Sequence, residues 1–306
     1  MVTRLSNRVV VLLGGNSFER EVSLVSGEEC TKALTRKGYE VFQVDTKDNF
    51  IEQLINLKPD VVFNALHGKW GEDGVIQGVL EVLKLPYTHS GILASSVAMK
   101  KDLAKGVFRN AGLPVLDHMV FKNGLEVDQI PFSCPYVVKP LSGGSSVGVH
   151  IVDDESYWLK NTINRTDLPL DILVEPFVPG RELTVTIMGD RALAVTDIVS
   201  ETWYDYSAKY KLGGSKHILP AKIPEEISKQ CLSCALKAHT ILGCRGVSRV
   251  DFRWNEILGS QGLFILELNT QPGMTPTSLV PEQANHVGIS FGDLCKWLIE
   301  DASCDR

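Results

Sequence analysis

The N-terminal third of the chain alternates short apolar runs with segments of helical spacing. Residues 8–13 (RVVVLL) are almost wholly apolar and end at a pair of glycines, which is typical of a strand buried in a parallel sheet. Two further strand-like runs, at 40–45 and 61–66, are each followed by a segment whose apolar residues recur at helical spacing. This βαβαβα order predicts a parallel, Rossmann-like sheet with helices on both faces, formed by residues 1–95.

The middle of the chain is richer in strands. Residues 95–112 are spaced as a single helix that ends at a glycine. Strand-like segments follow, and residues 182–199 predict a hairpin that turns at Gly189. We therefore expect residues 96–185 to form a small α+β unit.

The last third places strands between helices. Residues 225–243 and 291–302 have helical spacing, whereas 246–254 and 262–269 read as strands. We expect residues 186–306 to form a third unit. The chain is thus predicted to combine α/β and α+β architecture in three subdomains.

Composition narrows the class of protein. Of the 306 residues, 44% are apolar and 22% are charged, which is typical of a globular protein. No apolar run approaches the roughly 20 residues of a membrane span, and the N-terminus lacks the features of a signal peptide. The net charge of −6 argues against nucleic acid as a partner. Seven scattered cysteines point to reduced thiols and to a cytoplasmic location without membrane association.

The two C-terminal strands carry the most informative polar residues. Side chains two residues apart on a strand share a face, so Arg249 points with Asp251, and Glu267 points with Asn269. If the strands are antiparallel neighbours, two carboxylates and an amide oxygen meet beside one arginine. Such hard oxygen ligands suit Mg²⁺. The alternative is a solvated face with routine salt bridges.

A Pro-Gly loop follows the second of these strands. Residues 270–275 (TQPGMT) form a tight turn that exposes backbone N–H groups. The N–H of Gly273, with Arg249 beside it, has the chemistry of an oxyanion hole. The loop alone is weak support, but it directly follows Glu267 and Asn269.

A Gly/Ser-rich loop lies between two strand-like segments near residue 140. Gly143, Gly144 and Gly148 allow the backbone to close over a phosphate, and Ser145 adds a hydroxyl. The spacing fits neither a Walker loop nor a dinucleotide-binding fingerprint. The flanking strands predict a hairpin flap instead, and the alternative is a flexible hairpin without a ligand.

Lysines and acids near this flap suit a nucleotide. Lys101 and Lys139 can offset phosphate charge, and Lys139 follows an apolar strand where a charge is unexpected. Glu175 and Glu182, at the ends of neighbouring strands, can bind adenine and ribose together with strand-edge backbone groups. The alternative for both is an ordinary surface acid.

Two residues follow strands of the N-terminal sheet. Glu19 and His67 lie at the carboxyl edge where open α/β sheets bind ligands, and Glu19 can hold a substrate ammonium. A histidine in such a place is otherwise structural. Residues 203–214, with Lys209 and Tyr210, resemble a lid loop, or else an incidental aromatic loop.

Five segments together resemble the D-alanine–D-alanine ligase family of the ATP-grasp superfamily. They occur in the family's order and cover nearly the whole chain: VLLGGNSFEREVSLVSG, ALHGKWGEDGVIQGVLE, VVKPLSGGSSVGV, WYDYSAKY and ELNTQPGMTPTSLVP. The flap departs from many relatives, which carry a charged residue before the position of Gly144. The resemblance implies an ATP-grasp fold and the ATP-dependent ligation of two D-alanines through a D-alanyl phosphate, for the synthesis of peptidoglycan precursors.

The resemblance also implies a role for each matching residue. Two Mg²⁺ ions, with Mn²⁺ as a substitute, would be held by Asp251, Glu267 and Asn269. ATP would contact Lys101, Lys139, Glu175, Val178, Glu182 and Lys209. The first D-alanine would meet Glu19, Ser145 and Tyr210, with His67 nearby. Arg249 and Gly273 would form the oxyanion hole, and Ser278 and Leu279 would receive the carboxylate of the second D-alanine. The family further suggests a homodimer.

Other functions stay open at this stage. A D-alanine–D-lactate ligase shares the same motifs, although Tyr210 argues against it because ester-forming relatives usually carry another residue there. A different ATP-grasp carboxylate-amine ligase, or a non-catalytic protein that only binds the nucleotide, is the next alternative. A dehydrogenase is disfavoured, since no GxGxxG follows the first strand.

Overall fold

The structure is a computed structural model that describes residues 8–122, 132–144, 147–154, 171–199 and 216–304. In chain order its elements are β1 (Arg8–Leu13), α1 (Arg20–Arg36), β2 (Glu40–Asp45), α2 (Phe50–Leu57), β3 (Val61–Asn64), α3 (Val75–Leu83), α4 (Ile92–Met99), α5 (Lys101–Asn110), β4 (Met119–Phe121), β5 (Tyr136–Pro140), β6 (His150–Val152), β7 (Ile172–Pro176), β8 (Arg181–Met188), β9 (Arg191–Val199), β10 (Lys216–Ile218), α6 (Glu225–Ile241), β11 (Val247–Trp254), a 3₁₀ segment (Glu256–Gly262), β12 (Leu263–Asn269), α7 (Leu279–His286) and α8 (Phe291–Asp301).

The N-terminal sheet is parallel, as predicted. Its strands lie in the order β2-β1-β3, and β1 is buried because helices cover both faces of the sheet. Val9 and Val11 pack with side chains of α1 and α8, whereas Val10 and Leu12 pack with those of α2 and α3. The continuous apolar run of β1 thus serves two cores at once.

A larger antiparallel sheet carries the main core of the chain. Its strands lie in the order β10-β9-β8-β11-β12, and the β8–β9 hairpin turns at Gly189 as expected. Helices α4, α5 and α6 pack against this sheet. Phe108 of α5 and Phe252 of β11 are fully buried in that cluster. The helices therefore hold β11 and β12 in place from one side.

A smaller sheet faces the larger one across a cleft. Its strands lie in the order β4-β7-β5-β6. Strand β5 pairs antiparallel with β6, so the Gly/Ser loop is carried by a hairpin, as predicted. Lys139 lies near the end of β5, where the strand leads into this loop.

The single helix predicted over 95–112 was wrong. The structure has two helices, α4 and α5, and the break between them lies beside the flap. Lys100 has an extended backbone and separates α4 from α5. It forms an isolated bridge with Ser142, and the N–H of Lys101 donates to the carbonyl of Leu141. The break is stabilised by these contacts with the flap, and it places Lys101 at the first position of a helix that begins beside the flap.

Two features of the packing bear on the predicted subdomains. Residue 185 lies within β8, which pairs with β9 and β11 along its length. The C-terminal helix α8 packs on α1 and β3 of the N-terminal sheet.

No helix within the described ranges is long and apolar enough to cross a membrane.

Candidate functional site

A cleft between the two antiparallel sheets forms the largest part of the site. It encloses about 790 Å³, open solvent included. Most of the residues predicted to bind a nucleotide or metal line it. These are Lys101, Lys139, Gly143, Gly144, Glu175, Val178, Glu182, Asp251 and Glu267. The structure therefore brings together side chains that are far apart in sequence.

Strands β11 and β12 are antiparallel neighbours, as the sequence analysis required. Asp251 lies opposite Glu267, and Arg249 lies opposite Asn269. Directly opposite residues in an antiparallel pair project to the same face. The four polar side chains therefore share the face of the sheet that borders the cleft.

A bulge in β12 makes this arrangement compatible with the core. The register shifts between Asp251 and Phe252, which leaves Leu266 as the extra residue on β12. Leu263, Ile265 and Leu268 all reach the buried core despite their uneven spacing. The bulge thus reverses the alternation of faces just before Glu267 and turns that carboxylate toward the cleft.

Asp251 is held by two neighbours. Arg249 donates to it through Nε (2.8 Å to Oδ1) and Nη2 (2.7 Å to Oδ2), a two-point contact. Thr184, opposite Asp251 on β8, donates from its hydroxyl to Oδ1 at 2.6 Å. Both the arginine and the threonine fix the orientation of this carboxylate.

Lys101 links the flap to Glu267, one of the predicted metal ligands. Its Nζ donates to the carbonyl of Gly143 at 2.5 Å and lies 3.4 Å from Oε2 of Glu267. The side chain is almost fully buried. A phosphate in the cleft would meet this ammonium group between the flap and β12.

Glu175 lies between two buried lysines. Lys105 donates to Oε2 and Lys139 donates to Oε1, each at 2.5 Å. Burial alone raises the pKa of Glu175, but the two ammonium groups outweigh burial and lower that pKa to about 2. The carboxylate is therefore ionised and held in place by the two lysines at the wall of the cleft.

Arg253 organises the far wall of the cleft. Its Nε donates to the carbonyl of Val178 at 3.1 Å, its guanidinium lies over the ring of Phe177, and its Nη1 is 3.7 Å from Glu182. Burial lowers the pKa of Arg253, yet the group remains charged at neutral pH because arginine starts from so high a value. Val178 and Glu182 are thus held at the cleft by one cation.

His67 anchors the Pro-Gly loop to the N-terminal unit. The Nδ1 of His67 contacts the carbonyl of Gln271 (3.2 Å), which requires a proton on Nδ1. Nε2 then accepts from the hydroxyl of Ser26 (3.1 Å), whose oxygen accepts from the N–H of Met274. Burial lowers the pKa of His67 to about 4, so the ring is neutral at pH 7.

The same loop contacts the start of α7. Ser278 accepts from the N–H of Thr275 at 3.0 Å, and a Cβ on Gly273 would lie only 2.8 Å from the Ser278 hydroxyl. Leu279 is the first residue of α7, so the N–H groups of the helix start lie beside the loop. A carboxylate is favoured at such a helix N-terminus. The Pro-Gly loop at Gly273 therefore lies beside Ser278 and Leu279.

Comparison with known proteins agrees with this geometry. Residues 107–300 match the family model described as D-ala D-ala ligase C-terminus, and residues 46–90 match the model described as D-ala D-ala ligase N-terminus. The chain belongs to the D-alanine–D-alanine ligase family. It is 56% identical over 299 residues to a D-alanine–D-alanine ligase of Ruegeria sp. (strain TM1040), which covers 98% of this chain and 97% of the relative.

Other relatives in the ligase family give the same result. A D-alanine–D-alanine ligase of Ruegeria pomeroyi is 55% identical over 307 residues, covering 100% of this chain and 99% of the relative. The crystal structure of such a ligase from Bacillus anthracis matches with a TM-score of 0.82 and 32% identity over 96% of each chain. A structure of the Bacillus anthracis enzyme complexed with ATP has the same TM-score, with 29% identity over 97% of each chain. The fold is therefore the ATP-grasp fold of this ligase family.

Three predicted ligase-family site residues lie outside the described residues. They are Ser145 of the flap and Lys209 and Tyr210 of the 203–214 segment. Glu19, by contrast, is described: it is buried at the start of α1, beside the turn that contains Gly68.

Sequence reasoning missed three buried residues that contact the predicted site residues or lie beside them. Lys105 escaped notice because lysine is usually exposed, yet it lies four residues after Lys101 on the same face of α5 as Phe108. Thr184 gave no signal, because its role depends on the pairing of β8 with β11. Glu72 is buried beside Glu19, and its only signal was an acid in the turn that follows His67.

The neutral state of His67 predicts how stability depends on pH. The pKa of His67 is lowered in the folded chain, so between pH 6.5 and 4 the unfolded chain binds more protons and stability falls with falling pH. From pH 7 to pH 5 this amounts to about 2 kcal/mol of unfolding free energy. His67→Gln lacks the ionisable ring, so urea unfolding should show a smaller loss over this range. Equal losses in the two proteins would contradict the prediction.

Proposed function

We propose that this chain joins two D-alanine molecules into D-alanyl-D-alanine at the expense of ATP. The observation that carries the proposal is the pairing of β11 with β12. It brings Arg249, Asp251, Glu267 and Asn269 together on one face of the sheet, where Asp251 and Glu267 line the cleft. Relatives at 55% and 56% identity that are named D-alanine–D-alanine ligase support the choice of substrate.

The cleft is the proposed ATP site. Lys101 and Lys139 offset the charge of the phosphates, and the flap at Gly143 and Gly144 covers them. Glu182 and the backbone near Val178 bind the nucleoside. Glu175, which lines the cleft and accepts from Lys105 and Lys139, completes this set. Family resemblance adds Lys209.

The residues present fit a magnesium site. Asp251 and Glu267 face each other across β11 and β12, and Asn269 adds an amide oxygen. No group of three or more His, Cys, Asp or Glu in the described ranges is placed to hold a metal, so the set depends on the asparagine and, as is usual for Mg²⁺, on water and phosphate oxygens. Bound Mg²⁺, proposed as two ions replaceable by Mn²⁺, would offset the charge that develops on the transferred phosphate.

The proposed reaction has two steps. The carboxylate of the first D-alanine attacks the γ-phosphorus of ATP, which releases ADP and forms D-alanyl phosphate. The amine of the second D-alanine then attacks the acyl carbon, and phosphate leaves. Arg249 and the N–H of Gly273 stabilise the tetrahedral oxyanion. The start of α7, at Ser278 and Leu279, receives the carboxylate of the second D-alanine.

The first D-alanine is bound from the N-terminal unit. Glu19 holds its ammonium group, and family resemblance adds Ser145 and Tyr210 to this subsite. His67 supports the subsite indirectly, since its ring nitrogens contact Ser26 and the carbonyl of Gln271. Both substrates would thus meet beside the Pro-Gly loop.

We further propose a cytoplasmic enzyme without membrane association that supplies peptidoglycan precursors. The proposed subdomains follow the sheets: an N-terminal unit near residues 1–95, a central unit to about residue 180, and a C-terminal unit that contains all of β8.

Phosphate release tests the activity directly. With ATP and Mg²⁺, the chain should release phosphate and form the dipeptide when D-alanine is supplied. L-alanine should give a rate of phosphate release at least about a hundredfold lower, because the site is expected to bind only the D-enantiomer. Adding D-lactate to D-alanine should leave the dipeptide as the main product. A dominant ester product would make the chain a D-alanine–D-lactate ligase, and ATP binding without turnover would make it a non-catalytic protein.

Substitution of Glu267, a proposed metal ligand, tests the magnesium site. Glu267→Gln keeps the shape but loses the charge, so it should weaken Mn²⁺ binding about tenfold or more and abolish turnover. Electron paramagnetic resonance of free Mn²⁺ measures the affinity. Glu225→Gln, at an exposed position on α6, is the matched control and should bind as the unchanged chain does. Unaltered Mn²⁺ affinity in Glu267→Gln would refute this assignment.

We also propose a homodimer, which pairs the exposed apolar face of α3 and α4. Val75 and Val82 lie two turns apart on α3, Ile92 and Leu93 begin α4, and all four are exposed (82% for Val82). A Cβ on Gly78 would lie 3.9 Å from Ile92, so the residues form one patch. Light scattering should give a dimer mass for the unchanged chain and a monomer mass for Val82→Glu. A dimer that survives this substitution excludes the face.

A further inference from the structure

Glu72 is a buried acid in the turn between β3 and α3. It is only 7% exposed. Its Oε1 accepts a hydrogen bond from the N–H of Gly68 at 2.7 Å, and no described residue donates to Oε2. A carboxylate that is removed from water usually has its oxygens satisfied by several partners. One oxygen of Glu72 thus lacks a donor in the described part of the chain.

Glu72 and Glu19 converge below the flap. A Cβ on Gly144 would lie 3.6 and 3.7 Å from the two carboxylate oxygens of Glu19 and 3.9 Å from Oε1 of Glu72. Gly68 lies between the two acids, since a Cβ there would be 2.6 Å from Oε2 of Glu19, and its N–H binds Glu72. Two glycines therefore allow both carboxylates to approach one small space.

Two acids in one buried place repel each other. Burial, and then the negative charge of Glu19, raise the pKa of Glu72 well above its usual range. The hydrogen bond from the N–H of Gly68 and the positive charge of Arg249 oppose this shift, but burial and the charge of Glu19 outweigh them. A ligand with a positive charge would relieve this repulsion.

We propose that Glu72 is a second carboxylate of the subsite for the substrate ammonium, and that together with Glu19 it selects an amino acid over a hydroxy acid in the first position. The inference rests on the proposed function, because it concerns the first D-alanine of that reaction. An ammonium group offers three donors and a positive charge. The hydroxyl of D-lactate offers one donor and no charge, so it cannot supply the positive charge that an ammonium group brings to the two acids.

A trapping assay isolates the first subsite. Hydroxylamine attacks the acyl carbon of the acyl phosphate, the bond to the phosphate oxygen breaks, and a hydroxamate forms while phosphate leaves. No second D-alanine is needed. With D-alanine or D-lactate as the first substrate, ADP release in excess hydroxylamine counts every acyl phosphate formed, whether hydroxylamine or a second D-alanine captures it, and so reports kcat/KM for the first substrate.

Glu72→Gln tests the charge without loss of shape, since the amide oxygen still accepts from Gly68. We expect kcat/KM for D-alanine to fall about tenfold or more, the size of one hydrogen bond between charged groups. For D-lactate, kcat/KM should stay within about twofold, as should the KM for ATP. The preference for D-alanine should therefore fall about tenfold. Glu72→Asp keeps the charge on a shorter side chain and should retain part of the preference.

The controls separate a binding role from a structural one. Asp73→Asn removes a charge from the same turn, where Asp73 accepts from the N–H groups of Trp70 and Val75, and it should leave the preference unchanged. Equal losses for D-alanine and D-lactate in Glu72→Gln would indicate a structural role and overturn the inference, as would a change in kcat/KM for D-alanine below about twofold. If the unchanged chain forms neither hydroxamate nor dipeptide from D-alanine, the proposed function itself fails.

Discussion

The pairing of β11 with its two neighbours is the constraint on which the site depends. On one side β11 places Asp251 opposite Glu267, and on the other it places Asp251 opposite Thr184. The even-numbered residues of the strand, such as Val250 and Phe252, are fully buried in the core. A register slip by one residue would turn Asp251 into that core and Phe252 into the cleft. The chemistry is therefore fixed by the same contacts that fix the packing.

Charge is arranged in the cleft so that almost every buried ion has a partner. Lys105 and Lys139 share Glu175, Arg249 holds Asp251, and Arg253 lies near Glu182. The desolvation of such groups is costly unless each is paired with good geometry. The three members of the Glu175 cluster carry one net positive charge, which suits an anionic nucleotide. Acidic Glu19 and Glu72 lie instead below the flap, on the side of the N-terminal unit.

Much of this could be predicted from local sequence patterns. The apolar run of β1 indicated a parallel sheet, and the spacing of Arg249, Asp251, Glu267 and Asn269 indicated that their side chains share a face. These predictions succeeded because the strand period of two acts over a few residues. The pairing of β11 with β12 then followed from their closeness in sequence.

What could not be predicted depends on contacts between distant segments. The helix break at Lys100 is stabilised by Ser142 and Leu141 of the flap, and lysine itself favours helix, so no local signal marked it. The bulge at Leu266 can be recognised only when Ile265 and Leu268 are known to pack in the same core, because strict alternation would place them on opposite faces. The burial of Lys105 in α5 likewise requires Glu175, which lies in β7 of the smaller sheet.

The position of α8 has a consequence for how the chain is made. Val9 and Val11 pack against α8, so one face of β1 has no full cover until α8 has emerged from the ribosome. During translation that apolar face is an aggregation hazard, and the N-terminal unit expressed by itself would retain it permanently. Formation of the site is thus tied to synthesis of the chain through α8, since the strand that precedes Glu19 is covered on both faces only when that helix docks.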